Sequence, residues 1–173
     1  MKINARWILI IVSAVFIVNV LHSQELNRKI TDPKLNEEIL YGYCNRAGLE
    51  EGEFGKYFKE YYSIYQPDKN IVKQLKRKTN GVRILIVMGS WCSDSQEQVP
   101  KFFKILDKTG YDGTGMTIIC VDKDKLAGDI DVHKYDIQKV PTFIMFRGES
   151  EVGRIIETPV ATLEKDLLLF LGN

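Results

Sequence analysis

Residues 84–100 read Ile84-Leu85-Ile86-Val87-Met88-Gly89-Ser90-Trp91-Cys92-Ser93-Asp94-Ser95-Gln96-Glu97-Gln98-Val99-Pro100. Five apolar residues in succession, without polar alternation, describe a strand buried on both faces. Gly89 and Ser90 turn the chain. From Ser93 the pattern becomes helical, with Val99, Phe102, Phe103 and Leu106 on one side. Cys92 therefore stands where a buried strand runs into the start of a helix. The first amides of a helix lack intrahelical acceptors and the macrodipole is positive there, which favours a thiolate. The thiolate is the nucleophile of thiol–disulfide exchange. Ser95 lies one helical turn on, on the same face. A cysteine there would attack a mixed disulfide and release the substrate. A serine hydroxyl cannot, although it can hydrogen-bond the sulfur. Pro100 falls inside the helix and is expected to kink it.

Downstream, the glycine-rich loop 110–115 leads to a second apolar strand over 116–121. A strand–helix–strand unit implies parallel strands and a right-handed crossover. The acidic stretch 122–131 has its glycine, Gly128, in the wrong register for a calcium loop and no closing glutamate, so it reads as a solvated connection. A short helical turn near His133 and Tyr135 precedes Val140-Pro141. Residues 142–146 and 152–156 form a hairpin, and a last helix covers 162–171. Upstream, Thr31-Asp32-Pro33 reads as a helix start. Leu35, Ile39, Leu40, Tyr43 and Ala47 follow at helical spacing, with Cys44 on that apolar face. A second helix over 53–65 carries Phe54, Tyr57, Phe58, Tyr61, Tyr62 and Tyr65. These rings form either a binding face or a face buried against the main domain. Burial is favoured, because so many rings left in water would make a large apolar patch. Pro67-Asp68 opens a third helix, with Ile71, Val72 and Leu75 inward.

Trp91-Cys92-x-x-Ser95, Pro100 eight residues beyond the cysteine, and Tyr135-Asp136-Ile137 leading to Val140-Pro141-Thr142-Phe143 together resemble the thioredoxin superfamily. The resemblance covers about residues 82–173. The longer stretch from Gly89 resembles exported thioredoxin-like proteins with a helical N-terminal extension. It implies a thioredoxin-like α/β three-layer fold, a central mixed sheet flanked by helices, with an N-terminal helical extension. It implies a cis Pro141 beside Cys92, and a substrate segment pairing with the backbone before Pro141. Cys92 and Ser95 are then the catalytic positions, and Trp91, Val140, Pro141 and Thr142 bind substrate. Three departures stand out: Ser95 replaces the second cysteine, Ser93-Asp94 replaces Gly-Pro, and Ile86 replaces a buried aspartate. Asp94 puts a negative charge near the sulfur, against the helix dipole.

Lys2 and Arg6 precede an apolar run over 7–20, followed by Leu21-His22-Ser23, the layout of a secretory signal. The run is shorter than the roughly 20 residues of a membrane span, so cleavage after Ser23 or Gln24 is preferred to an uncleaved anchor. The chain thus divides into a signal peptide (1–23), a helical extension packed on the domain (24–80) and a thioredoxin-like domain (81–173). Export, to a periplasm or the extracellular space, implies an oxidising compartment. Three cysteines there leave one unpaired. Their spacings match no zinc pattern, so no metal is expected, and the reading needs no cofactor. A net charge of +1, with no basic stretch interleaved with aromatics, gives no reason to expect nucleic acid. Membrane contact is expected only through an uncleaved signal. The expected function is monothiol thiol–disulfide exchange with cysteine-containing proteins or small thiols. The rival is a redox-inactive module binding proteins or peptides in the Trp91/Pro141 groove. Peroxide reduction is weaker, for want of a threonine–cysteine pattern. Cys120, near the end of its strand, is either a surrogate resolving thiol or an inert core residue.

Overall fold

A computed structural model describes residues 25–172, and the expected signal segment lies outside them. The chain forms a mixed α/β fold with a central mixed sheet flanked by helices. Strands β1 (Lys29–Asp32) and β2 (Glu37–Leu40) make a separate antiparallel hairpin. Next come β3 (Gly42–Cys44), a short helix α1 (Arg46–Leu49), α2 (Gly52–Ile64), α3 (Lys69–Leu75), β4 (Val82–Met88), α4 (Ser93–Thr109) and β5 (Met116–Cys120). A 3-10 turn at His133–Tyr135, β6 (Thr142–Arg147), β7 (Ser150–Ile156) and α5 (Leu163–Gly172) complete the chain. The main sheet has the order β3-β5-β4-β6-β7, with β4 and β5 parallel and the other pairs antiparallel.

Side chains alternate across β4. Ile84, Ile86 and Met88 join the core beneath α2, α4 and α5, while Leu85 and Val87 join a second core with Ile119, Val121, Val132 and Val140. This two-sided burial explains the unbroken apolar run. The second face is covered by the segment between β5 and β6, including the 3-10 turn.

The structure corrects the extension. The helix read over residues 31–47 is replaced by β1, β2 and β3, and β3 joins the main sheet as its edge strand beside β5. The capping signal at Asp32 is real but local. Its Oδ1 accepts from the backbone N–H groups of Lys34 and Leu35 at 2.7 and 3.0 Å, as a helix cap does. One α-turn closes, Asn36 N–H to the Asp32 carbonyl at 2.8 Å. Asn36 then adopts φ +54 and Gly42 φ +85, left-handed values that no helix propagates. The remaining helices of the extension form where the sequence places them, α2 and α3, with the Asp68 side chain capping α3.

Helix α2 packs on α4. Phe54 and Phe58 are buried, Tyr62 and Tyr65 pack against the core edge, and Tyr57 stays exposed. The Phe58 and Phe103 ring centroids are 5.5 Å apart. The Arg46 guanidinium lies over Phe58, Tyr62 and Phe103 while pairing with both oxygens of Asp107. At the other end of the contact, buried Glu164 in the first turn of α5 accepts from Tyr65 Oη at 2.6 Å and from the Asp68 N–H at 3.0 Å. Burial works to raise the Glu164 pKa; these donors outweigh it and hold the carboxyl below its ordinary range.

Two outcomes are expected. Phe58→Ala should lower the unfolding free energy by about 3–5 kcal/mol in denaturant titrations, because the cavity opens between two packed helices. Glu164→Gln should cost about 1–3 kcal/mol at neutral pH. A carboxyl depressed in the folded state stabilises above its ordinary titration range, and that stability is lost as pH falls through the folded value. The gap between wild type and Glu164→Gln should therefore narrow in titrations carried below about pH 4.

Candidate active site around Cys92

β4 ends at Met88, and four residues reverse the chain into α4. The Cys92 N–H donates to the Gly89 carbonyl at 3.0 Å, and the Gly89 N–H donates to Ser95 Oγ at 3.3 Å. Gly89 is required by close approach: a Cβ there would lie 2.6 Å from the Trp91 indole. Cys92 is the N-cap residue of α4, in an extended conformation, and α4 continues through Pro100 to Thr109. Asp94 sits in the first turn.

The Cys92 thiol is half-buried, and its Sγ donates to the Val140 carbonyl at 3.2 Å. The Val140–Pro141 peptide is cis. Val140 and Pro141 are buried, and Thr142, the first residue of β6, donates its hydroxyl to the Lys139 carbonyl at 2.7 Å. Trp91 is half-buried, with its indole N–H on the Val121 carbonyl at 2.9 Å. The structure thus brings Cys92, Trp91 and Val140-Pro141 to one edge of the sheet. Ser95 is fully buried, and its oxygen is engaged by Gly89.

Cys44 and Cys120 lie elsewhere. Register pairs Gly42 with Cys120 and Cys44 with Ile118, so the two sulfurs share one face of the sheet. Both belong to the core under α4, whereas Cys92 packs with the core on the opposite face. Hydrogen bonding with Cys44, reinforced by burial, pushes the Cys120 thiol well up, so it stays protonated. Ile86 is fully buried in that same core, so no carboxylate occupies its position.

Sequence reasoning missed the neighbours supplied by the hairpin and the acidic loop. Ser90 Oγ accepts from the Leu40 N–H at 3.0 Å, and the Lys123 ammonium lies 4.0 Å from the Trp91 ring centroid. A groove of about 400 Å³ opens beside Trp91, with Leu40 and Phe54 among its apolar lining and Glu38, Tyr57 and Gln96 also lining it. No local pattern announces these contacts, which depend on segments brought together by the fold. Among the described residues no group of three or more ligands could hold a metal ion.

No family model matches the chain. Over 91 residues it is 28% identical to Thioredoxin H2-1 of Oryza sativa subsp. japonica, covering 53% of this chain. The chain spans 62% of that relative's length. Among solved structures it is similar to the reduced thioredoxin pre-protein of Schistosoma mansoni, at 26% identity over 53% of this chain and 81% of that one, with a TM-score of 0.34. It is also similar to oxidised thioredoxin O1 of Arabidopsis thaliana, at 22% identity over 58% and 85% of the two chains, with a TM-score of 0.37. The sequence likeness to a plant thioredoxin supports a relationship at the level of the thioredoxin-like superfamily.

Proposed function

We propose that the protein carries out thiol–disulfide exchange through Cys92 as its single active-site thiol, forming mixed disulfides with cysteine-containing proteins or small thiols outside the cytoplasm. The observation that carries this reading is the placement of one half-buried thiol at the N-terminus of the 17-residue helix α4, 3.2 Å from the Val140 carbonyl. The first backbone amides of the helix lie next to the sulfur that has to carry the negative charge of the attacking nucleophile. The Cys92 thiolate attacks one sulfur of a substrate disulfide. The new bond joins Cys92 to that half, and the other half leaves as a thiolate. With Ser95 where a resolving cysteine would stand, the mixed disulfide persists until a second thiol attacks the substrate sulfur and expels Cys92. The Val140 carbonyl, which accepts from the thiol in the free protein, becomes available to a substrate segment once Cys92 has given up its proton. Export rests on the layout of residues 1–23, whose removal would leave the reactive thiol in an oxidising compartment.

Oxidised glutathione tests the reaction. The wild type should acquire one glutathione, seen by intact mass and released by added thiol, and Cys92→Ser should acquire none. Insulin reduction should be slow in the wild type and rise at least about tenfold in Ser95→Cys, which supplies a thiol one turn away. An unmodified wild type that still binds protein partners through the same edge would transfer the site to the redox-inactive module. For export, the mass of protein recovered outside the cytoplasm should correspond to cleavage after Ser23 or Gln24. A full-length chain in the membrane with its domain outside would refute cleavage, and a full-length chain recovered from the cytoplasm would refute export.

A further inference from the structure

The loop after β5 and the N-terminal hairpin meet through one carboxylate. Asp32 is 1% exposed, and its Oδ2 accepts from the Lys123 backbone N–H at 2.9 Å. Its other oxygen holds the hairpin turn through Lys34 and Leu35. One group therefore sets both the turn and the backbone of Lys123. From there the lysine stem carries its ammonium over the Trp91 face, 4.0 Å from the ring centroid. Tryptophan is the strongest aromatic partner for a cation, and a lysine stem can cover apolar surface while its charge stays in water. The indole is thus held on two sides, by the Val121 carbonyl at its N–H and by Lys123 on its face. The other end of the hairpin reaches the residue before the indole, through the Leu40 N–H on Ser90 Oγ.

We propose that Lys123, oriented by Asp32, is a positioning residue that fixes the Trp91 indole as the wall beside the Cys92 thiol, so that the N-terminal hairpin is a working part of the site. The consequence for exchange rests on the function proposed above; the positioning itself does not. Lys123 touches the site through Trp91, and Asp32 acts one step further out.

Trp91 reports on this directly. The chain has two tryptophans, and Trp7 lies in the expected signal segment, so Trp91 is the single emitter of the cleaved protein, or of the full chain carrying Trp7→Phe. Lys123 is exposed, and its replacement leaves the core intact. In Lys123→Gln the Trp91 emission should move to longer wavelength, and its quenching by acrylamide should rise about twofold. The rate of Cys92 alkylation by a bulky maleimide relative to iodoacetamide should rise by a similar factor. Lys123→Arg, which keeps a cation over the ring, should restore both. Asp32→Asn should move both readouts in the same direction as Lys123→Gln, although the Asp32 carboxylate hydrogen-bonds to Lys34, Leu35 and Lys123 and not to Trp91 or Cys92. Wild-type emission and reagent ratio in Lys123→Gln, or a failure of Lys123→Arg to restore them, would overturn the proposal. None of these readouts requires disulfide exchange, so they stand or fall separately from the glutathione and insulin results.

Discussion

β4, buried on both faces over most of its length, passes into α4 through a turn of only four residues. Met88 is fully buried, and Cys92 already caps a helix. Gly89 makes the reversal possible by letting the Trp91 indole lie against the backbone where any Cβ would collide. The backbone and hydroxyl hydrogen bonds of Gly89, Cys92 and Ser95 then lock the turn. The rest of the site follows from this constraint. The thiol emerges at the positive end of α4, and β6, paired antiparallel to β4, begins beside it. The Val140 carbonyl, two residues ahead of β6, accepts from the Cys92 thiol.

The same constraint separates the three cysteines. Strand alternation places Cys120 on the face shared with Cys44, under α4. Cys92 lies beyond the end of β4 and packs with the other core. The two buried thiols share one face of the sheet in an apolar core, and the third is partly open at a helix start. Burial and placement make these different chemical environments for one residue type.

Much of this is legible in the sequence because it is local. The apolar run of β4, the switch to helical spacing at Ser93 and the hairpin around Gly148 each carry their own period or turn chemistry. The helix read over residues 31–47 failed for an instructive reason. Asp32 does cap a turn, but Asn36 and Gly42 take left-handed conformations, and the pairing of Cys44 beside Ile118 is non-local. Of the residues at helical spacing, Ile39 and Leu40 are buried from β2, Leu35 is half-buried in the turn, and Tyr43 in β3 is exposed, so the spacing marks no single buried face. In the aromatic helix α2 the periodicity indicated burial, yet which rings bury depends on α4. Phe58 meets Phe103, while Tyr57 faces solvent. At the site, Cys92, Trp91 and Pro141 are visible as a motif, whereas Lys123 and Asp32 are separated by 91 positions and meet only in the folded chain.

The central claim is that one thiol of three does the chemistry. Competitive labelling of the native protein with a limiting alkylating reagent, followed by peptide mapping, measures it directly. The account predicts label on Cys92 first, with Cys44 and Cys120 reacting only after denaturant unfolds the sheet. Label appearing on Cys44 or Cys120 at the rate of Cys92 in the native protein would contradict it.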